Sequence, residues 1–202
     1  MRQTMGLKKL AAAALLAGSA LLAAAPAMAL DNPFLGIFPR PYDFGVGPKS
    51  GYRGGSPIAR QTVSYAGSYA PGTIIINTGE RRLYLVQSNG TALKYGIGVG
   101  RDGFRWSGNK TITRKAEWPG WTPPPQMRKR VKGLPAYMPG GIDNPLGARA
   151  MYLGSSLYRI HGSNEPETIG QAVSSGCFRM TNDDVVDLYE RVNVGTRVVV
   201  QN

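Results

Sequence analysis

From residue 71 onward, apolar and polar positions alternate in short blocks punctuated by turn-forming residues, a texture that favours strands over long helices. Residues 73–77 (Thr-Ile-Ile-Ile-Asn) predict a β-branched strand closed by Thr78-Gly79, and Arg82–Val86 predicts a second. Asn89-Gly90 is a hairpin signal, since both residues tolerate the positive φ of a type I′ turn, and residues 92–99 predict a third strand. Residues 151–153 and 157–160 predict two more, around Gly154-Ser155-Ser156, with His161 at the end of the second. A side chain at a strand end is held rigidly yet reaches the surface, which suits a catalytic base. Thr181 reads as an N-cap with Asp184 three residues on, and Val185, Leu188, Tyr189 and Val192 fall at helical spacing over 182–192. Asp183 and Asp184 complement the helix dipole there, so capping is favoured over catalysis for both. Gly195 ends the unit and residues 196–200 predict a closing strand.

Two stretches break the pattern. Residues 30–70 contain 12 Pro or Gly among 41 positions, without sustained periodicity, and are expected to be a flexible linker. Residues 101–147 are expected to be a long irregular connection. Its Trp118-Pro119-Gly120-Trp121-Thr122-Pro123-Pro124-Pro125 segment reads as neither helix nor central strand, and fits a substrate wall or core coverage about equally. The basic run 128–132 within it is either a solvated face or an attractor of anions. Gly96, Gly98 and Gly100 form no phosphate loop, because neither Gly-Lys-Ser/Thr nor a helix follows; a bulge or a close strand approach is expected.

The first 29 residues change the expected compartment. Arg2, Lys8 and Lys9 precede an Ala/Leu run over 10–25, and Ala27-Met28-Ala29 has the form of a cleavage site. The run is shorter than the roughly 20 residues of a membrane span. The expectation is a signal peptide cleaved near Ala29, an exported protein in the periplasm or cell wall, and a single domain over 71–202. Removing those three cations takes the formal charge from +12 to +9. Such charge favours anionic partners, and export points to wall polymers and carboxylate-bearing peptides rather than nucleic acid.

Within this basic chain, residues 161–179 hold the only histidine and the only cysteine. A sole thiol excludes an intramolecular disulfide, and the pair cannot build a multi-ligand Cys/His metal site. A free thiol is unusual in an exported protein. Cys177 follows Ser-Ser-Gly in what reads as a tight turn where backbone can approach a ligand, so a reactive nucleophile with His161 as base is favoured over a buried, inert cysteine.

The sequence here resembles the L,D-transpeptidase family (the YkuD-type catalytic domain). The resemblance rests on His161-Gly162, a spacer, then Ser174-Ser175-Gly176-Cys177-Phe178-Arg179, with Asn144-Pro145-Leu146-Gly147 before it and the capped helix and Gly195-Thr196 strand after it. It covers about residues 71–202. Two positions depart: Ser175 stands where many members carry a second His, and Arg179 where others have Asn. The resemblance implies a mainly β fold, a β-sandwich of mixed sheets with one or two short helices. It also implies an exported enzyme acting on peptidoglycan stem peptides.

In that chemistry a Cys177 thiolate, stabilised by imidazolium His161, attacks the carbonyl before terminal D-Ala, and the resulting thioester passes its acyl group to an amine. The product is a 3→3 cross-link or an attached outer-membrane or wall protein. Backbone N–H groups of Gly176 and Cys177 are expected as the oxyanion hole, and a carbonyl near Gly162 or Ser163 as the group orienting the imidazole. Arg179, Ser174 and Ser175 are expected near substrate, with turn support an equal role for Ser174. No metal or organic cofactor is needed. The alternatives are water as acceptor, giving an L,D-carboxypeptidase, and a non-catalytic wall-binding module.

Overall fold

The computed structural model describes residues 56–202; the expected signal peptide and residues 30–55 of the expected linker lie outside the described residues. Hydrogen-bonded strands account for most of the regular structure. In chain order they are β1 (Gln61–Ser64), β2 (Ile74–Asn77), β3 (Arg82–Val86), β4 (Thr91–Gly96), β5 (Val99–Gly100) and β6 (Gly108–Glu117). There follow α1 (Pro125–Arg130), β7 (Arg149–Leu153), β8 (Arg159–His161), a 3₁₀ turn (Pro166–Thr168), β9 (Ala172–Ser174), β10 (Phe178–Arg179), α2 (Asn182–Arg191) and β11 (Arg197–Gln201). Nine strands pair in the order β1-β4-β3-β2-β11-β6-β7-β8-β10, and β5 pairs separately with β9.

The pairing is mixed. β2, β3 and β4 form the antiparallel meander, whereas β11 runs parallel to β2 and β10 parallel to β8. β6 carries the chain from one half to the other: its start pairs with β11, and from Ile112 onward it pairs with β7, with a register shift between Ile112 and Arg114. An irregularity of this kind bends a strand and re-aims the sheet. Ile74, Ile76 and Leu83 from one half then share a core with Met151, Leu153, Ile160 and Phe178 from the other. This is the mainly β, mixed-sheet architecture expected.

α2 closes the core with Val185 and Leu188. Thr181 Oγ1 accepts the Asp184 N–H at 3.2 Å, which is the expected N-cap. Its other end is capped from a distance: Lys115 Nζ donates to the carbonyls of Tyr189 and Val192, both at 2.7 Å. A cation there satisfies orphan carbonyls and complements the dipole. Among the described residues, no helix is long and apolar enough to cross a membrane.

Several expected boundaries change. Residues 61–64, placed in the linker, pair as β1 with β4. Nearby, Ile58 lies close against Gly96 and Arg60 Nη1 reaches Asp187 at 3.0 Å, so this segment is bound by contacts distant in sequence. The irregular connection contains β6, whose ten residues bury only Ile112; its stability comes from main-chain pairing on both edges, which leaves no apolar alternation to read. α1 begins at Pro125 after the proline run, a first-turn position where the missing N–H costs nothing. At the β3–β4 hairpin Gly90 has φ 70° while Asn89 is not left-handed, and Gln87 N–H bonds Thr91 O. This is a three-residue loop with a left-handed glycine, in place of the expected type I′ turn.

Leu188 is fully buried in the shared core. Leu188→Ala is expected to cost about 2–5 kcal/mol, read as a lower urea midpoint.

Candidate active site

Cys177 sits in the turn between β9 and β10, and that turn is held from several sides. Ser174 Oγ donates to Cys177 O at 2.6 Å and accepts from Gly176 N at 3.2 Å. Gly176 has φ 103°, and a Cβ added there would lie 2.6 Å from Tyr158 Cε1, so the position needs glycine on both counts. Trp106 Nε1 donates to Gly176 O at 2.8 Å, and its ring stacks on Tyr158 with centroids 4.6 Å apart. The expected close approach of the Gly96–Gly100 stretch falls here as well: Gly98 and Arg179 exchange N–H···O bonds of 2.9 Å in both directions.

His161 ends β8, and the parallel register sets it beside Arg179, while Arg159 at the start of β8 hydrogen-bonds Cys177. The imidazole is buried, with Nδ1 2.6 Å from Gly162 O. A carbonyl can only accept, so Nδ1 carries the proton and Nε2 presents its lone pair. The loop that follows is pinned by Gly162 N–H to Arg149 O at 3.0 Å. It packs against Gly147, whose φ of 62° and close approach to Ser163 N suit only glycine. Arg179 is held by Glu165 Oε2 at 2.7 Å.

Burial sets the electrostatics. It pushes the His161 imidazole down to about 3 from an ordinary 6.5, helped by the Arg179 and Arg159 charges and opposed by the Gly162 hydrogen bond. It also pushes the Cys177 thiol up, against the lowering influence of Arg159 and Arg179. At neutral pH both groups are therefore neutral, and the thiol donates to Leu157 O at 3.6 Å instead of to the imidazole. Burial thus opposes the thiolate–imidazolium pair that the resemblance implies.

Cys177 and His161 line one cavity of about 470 Å³. Ser174, Ser175 and Arg179 line it too, with Arg159 and Tyr158 from the β8 side. Trp121, Pro124, Met127 and Arg130, from the proline-rich segment and α1, supply the opposite wall. Leu157, 63% exposed, marks the rim.

Other expected roles are revised. The Gly176 N–H is occupied by Ser174 Oγ and is not free for an oxyanion. Ser163 Oγ accepts from Glu165 N at 3.0 Å, so it shapes the loop while the carbonyl beside the imidazole is Gly162's. Ser174 supports the turn, and the charge of Arg179 is committed to Glu165. Residues that sequence reasoning passed over include Arg159, Tyr158, Trp106 and Glu165. For Arg159 a signal existed: it stands two residues before His161 on a strand, hence on the same face. For Trp106 and Glu165 no local pattern exists, because their partners are remote in the chain.

Comparison with known proteins gives the family. Residues 71–200 match the YkuD family, the L,D-transpeptidase catalytic domain, and the chain belongs to it. A probable L,D-transpeptidase ErfK/SrfK of Escherichia coli K12 is 43% identical over 63% of this chain and 43% of its own length. A putative L,D-transpeptidase YqjB of Bacillus subtilis is 35% identical over 63% of this chain and 69% of its own. The chain thus spans under half the length of the first curated relatives it matches. A solved L,D-transpeptidase from Mycobacterium smegmatis, 18% identical over 64% of this chain and 58% of that one with a TM-score of 0.50, shares the fold.

Ser174→Ala removes a hydroxyl serving two backbone groups. A loss of about 1–3 kcal/mol is expected, measured by thermal unfolding. Acid should also destabilise the fold through His161. Its folded pKa lies below the unfolded value, so its stabilisation is full above about pH 6.5 and is lost as pH falls toward 3. Between pH 7 and 5, wild-type protein should lose more urea stability than His161→Asn does.

Proposed function

We propose that this protein is an exported cysteine L,D-transpeptidase that acts on peptidoglycan stem peptides. The observation carrying this reading is a single thiol and a single imidazole lining one cavity, with the imidazole held by the Gly162 carbonyl so that Nε2 is the basic nitrogen. Family membership supports it.

The reaction begins from neutral partners. Sγ turns from Leu157 O toward the carbonyl that precedes terminal D-Ala, and Nε2 of His161 takes the thiol proton as the S–C bond forms. The Cys177 N–H stabilises the tetrahedral oxygen. Imidazolium then returns the proton to the leaving amine, the C–N bond breaks, D-Ala departs, and a thioester remains. A side-chain amine of a second stem attacks the thioester and gives its proton to His161. The C–S bond breaks, and the thiolate recovers the proton. A protein amine in the same role attaches that protein to the wall. Depressed basicity at His161 favours proton transfer coupled to attack over a standing ion pair, and Arg159 and Arg179 favour the anionic sulfur as it forms.

Intact mass after incubation with a carbapenem provides the test. Wild type is expected to gain a covalent adduct and Cys177→Ala none, with unchanged circular dichroism; His161→Asn should slow acylation by about 10²–10⁴-fold. A wild-type protein that gains no adduct would leave the wall-binding module as the better reading. Products from a tetrapeptide stem then separate amine from water as acceptor: 3→3 dimers in one case, accumulating tripeptide in the other.

A further inference from the structure

Arg159 has features beyond the charge that the acyl-transfer scheme draws on. It lies on β8 two residues before His161, so both side chains leave the same face of the strand. Where the β8–β10 ladder begins, it hydrogen-bonds Cys177, the residue just before β10. Its Nη1 donates at 3.0 Å to Leu157 O, the same carbonyl that holds the Cys177 thiol, so guanidinium and sulfur converge on one acceptor. Its Nε is buried with no hydrogen-bond partner, and the group as a whole lines the cavity.

The other cavity cations differ. Arg179 is paired with Glu165 at 2.7 Å, and Arg130 lies over the Phe104 ring, 5.3 Å from its centroid. Around Arg159 the neighbours are the Cys177 side chain, which it hydrogen-bonds, the Tyr152 ring at 5.2 Å and, on that same ring, Arg114. Burying a guanidinium nitrogen without a partner is costly, and the cost is removed when an anion enters. Arginine presents a planar fork that matches a carboxylate.

We propose that Arg159 is a substrate-binding residue that receives the carboxylate of the leaving residue of the acyl donor. This rests on the transpeptidase reading above. A terminal D-residue carries its carboxylate beyond the scissile carbonyl through the amide nitrogen and one Cα, a separation of a few Å. A carbonyl within reach of Sγ therefore brings that carboxylate to the adjacent guanidinium. Binding it there orients the scissile bond and selects donors with a free C-terminus. Departure of D-Ala removes the carboxylate and clears the cavity for the acceptor.

The experiment has two arms, applied to wild type, Arg159→Gln, Arg159→Lys and, as a control cavity cation, Arg130→Gln. In the first, Cys177 is alkylated with iodoacetate and with neutral iodoacetamide, and the ratio of the two rates is taken. Any change in thiol acidity or turn structure affects both reagents alike and cancels. The ratio is expected to fall about tenfold in Arg159→Gln, to be partly restored in Arg159→Lys and to hold in Arg130→Gln. An unchanged ratio in Arg159→Gln, or an equal fall in Arg130→Gln, overturns the proposal.

In the second arm D-Ala release is measured from a tetrapeptide with a free C-terminus, and D-alaninamide release from its carboxamide. Arg159→Gln should lower kcat/KM for the acid about tenfold more than for the amide, since the shared loss of a cation beside the sulfur affects both. Equal losses on both peptides overturn the proposal. If wild type cleaves neither peptide while the reagent ratio still falls in Arg159→Gln, the carboxylate site stands and the transpeptidase reading fails.

Discussion

The parallel pairing of β8 with β10 is the constraint on which the site depends. These strands are three and two residues long, and alone they would not hold. They persist because Ile160 and Phe178 are buried in the common core, and because Gly98 clamps the far edge of Arg179. Their register brings His161 to Arg179, and Arg159 hydrogen-bonds Cys177 just before β10. Slipping it by one residue would turn the alternate side chains to the wrong face and separate the thiol from the imidazole.

Burial then decides how the two groups behave. His161 is buried and Cys177 half-buried, so charge on either group is disfavoured. The surrounding cations are tied by geometry: Arg179 by Glu165, and Arg159 by a backbone carbonyl. Positive potential is therefore present without a mobile counter-charge beside the sulfur. Such surroundings favour negative charge on the sulfur as it forms. The formal positive charge of the whole chain has the same sign, so long-range attraction and local chemistry favour the same kind of ligand.

The cavity's second wall comes from a different source. Trp121 exchanges backbone hydrogen bonds of 2.8 Å with Met138, and Asn144 Nδ2 binds Pro139 O at 2.8 Å. A stiff segment with few internal hydrogen bonds is thereby fixed at both ends, and α1 carries Met127 and Arg130 into place. Proline does two things here: it excludes a long helix before Pro125, and it presets the first turn of the short one.

Local chemistry was legible wherever the signal is short-range. The meander, the Thr181 cap, the amphipathic α2, the strand-end position of His161 and the mainly β class all follow from periodicity, capping and turn residues. The lone thiol and imidazole stood out because composition alone singled them out. β1 and β6 escaped, since an edge strand held by Arg60 and Ile58, and a polar strand with one buried residue, owe their existence to partners far along the chain. The sequence by itself determined that the chain holds one thiol and one imidazole, sixteen residues apart. Only the tertiary structure decided their charge state, the occupied Gly176 N–H, the pairing of Arg179 and the unpaired nitrogen of Arg159, because burial and remote hydrogen bonds set these and no local pattern encodes them.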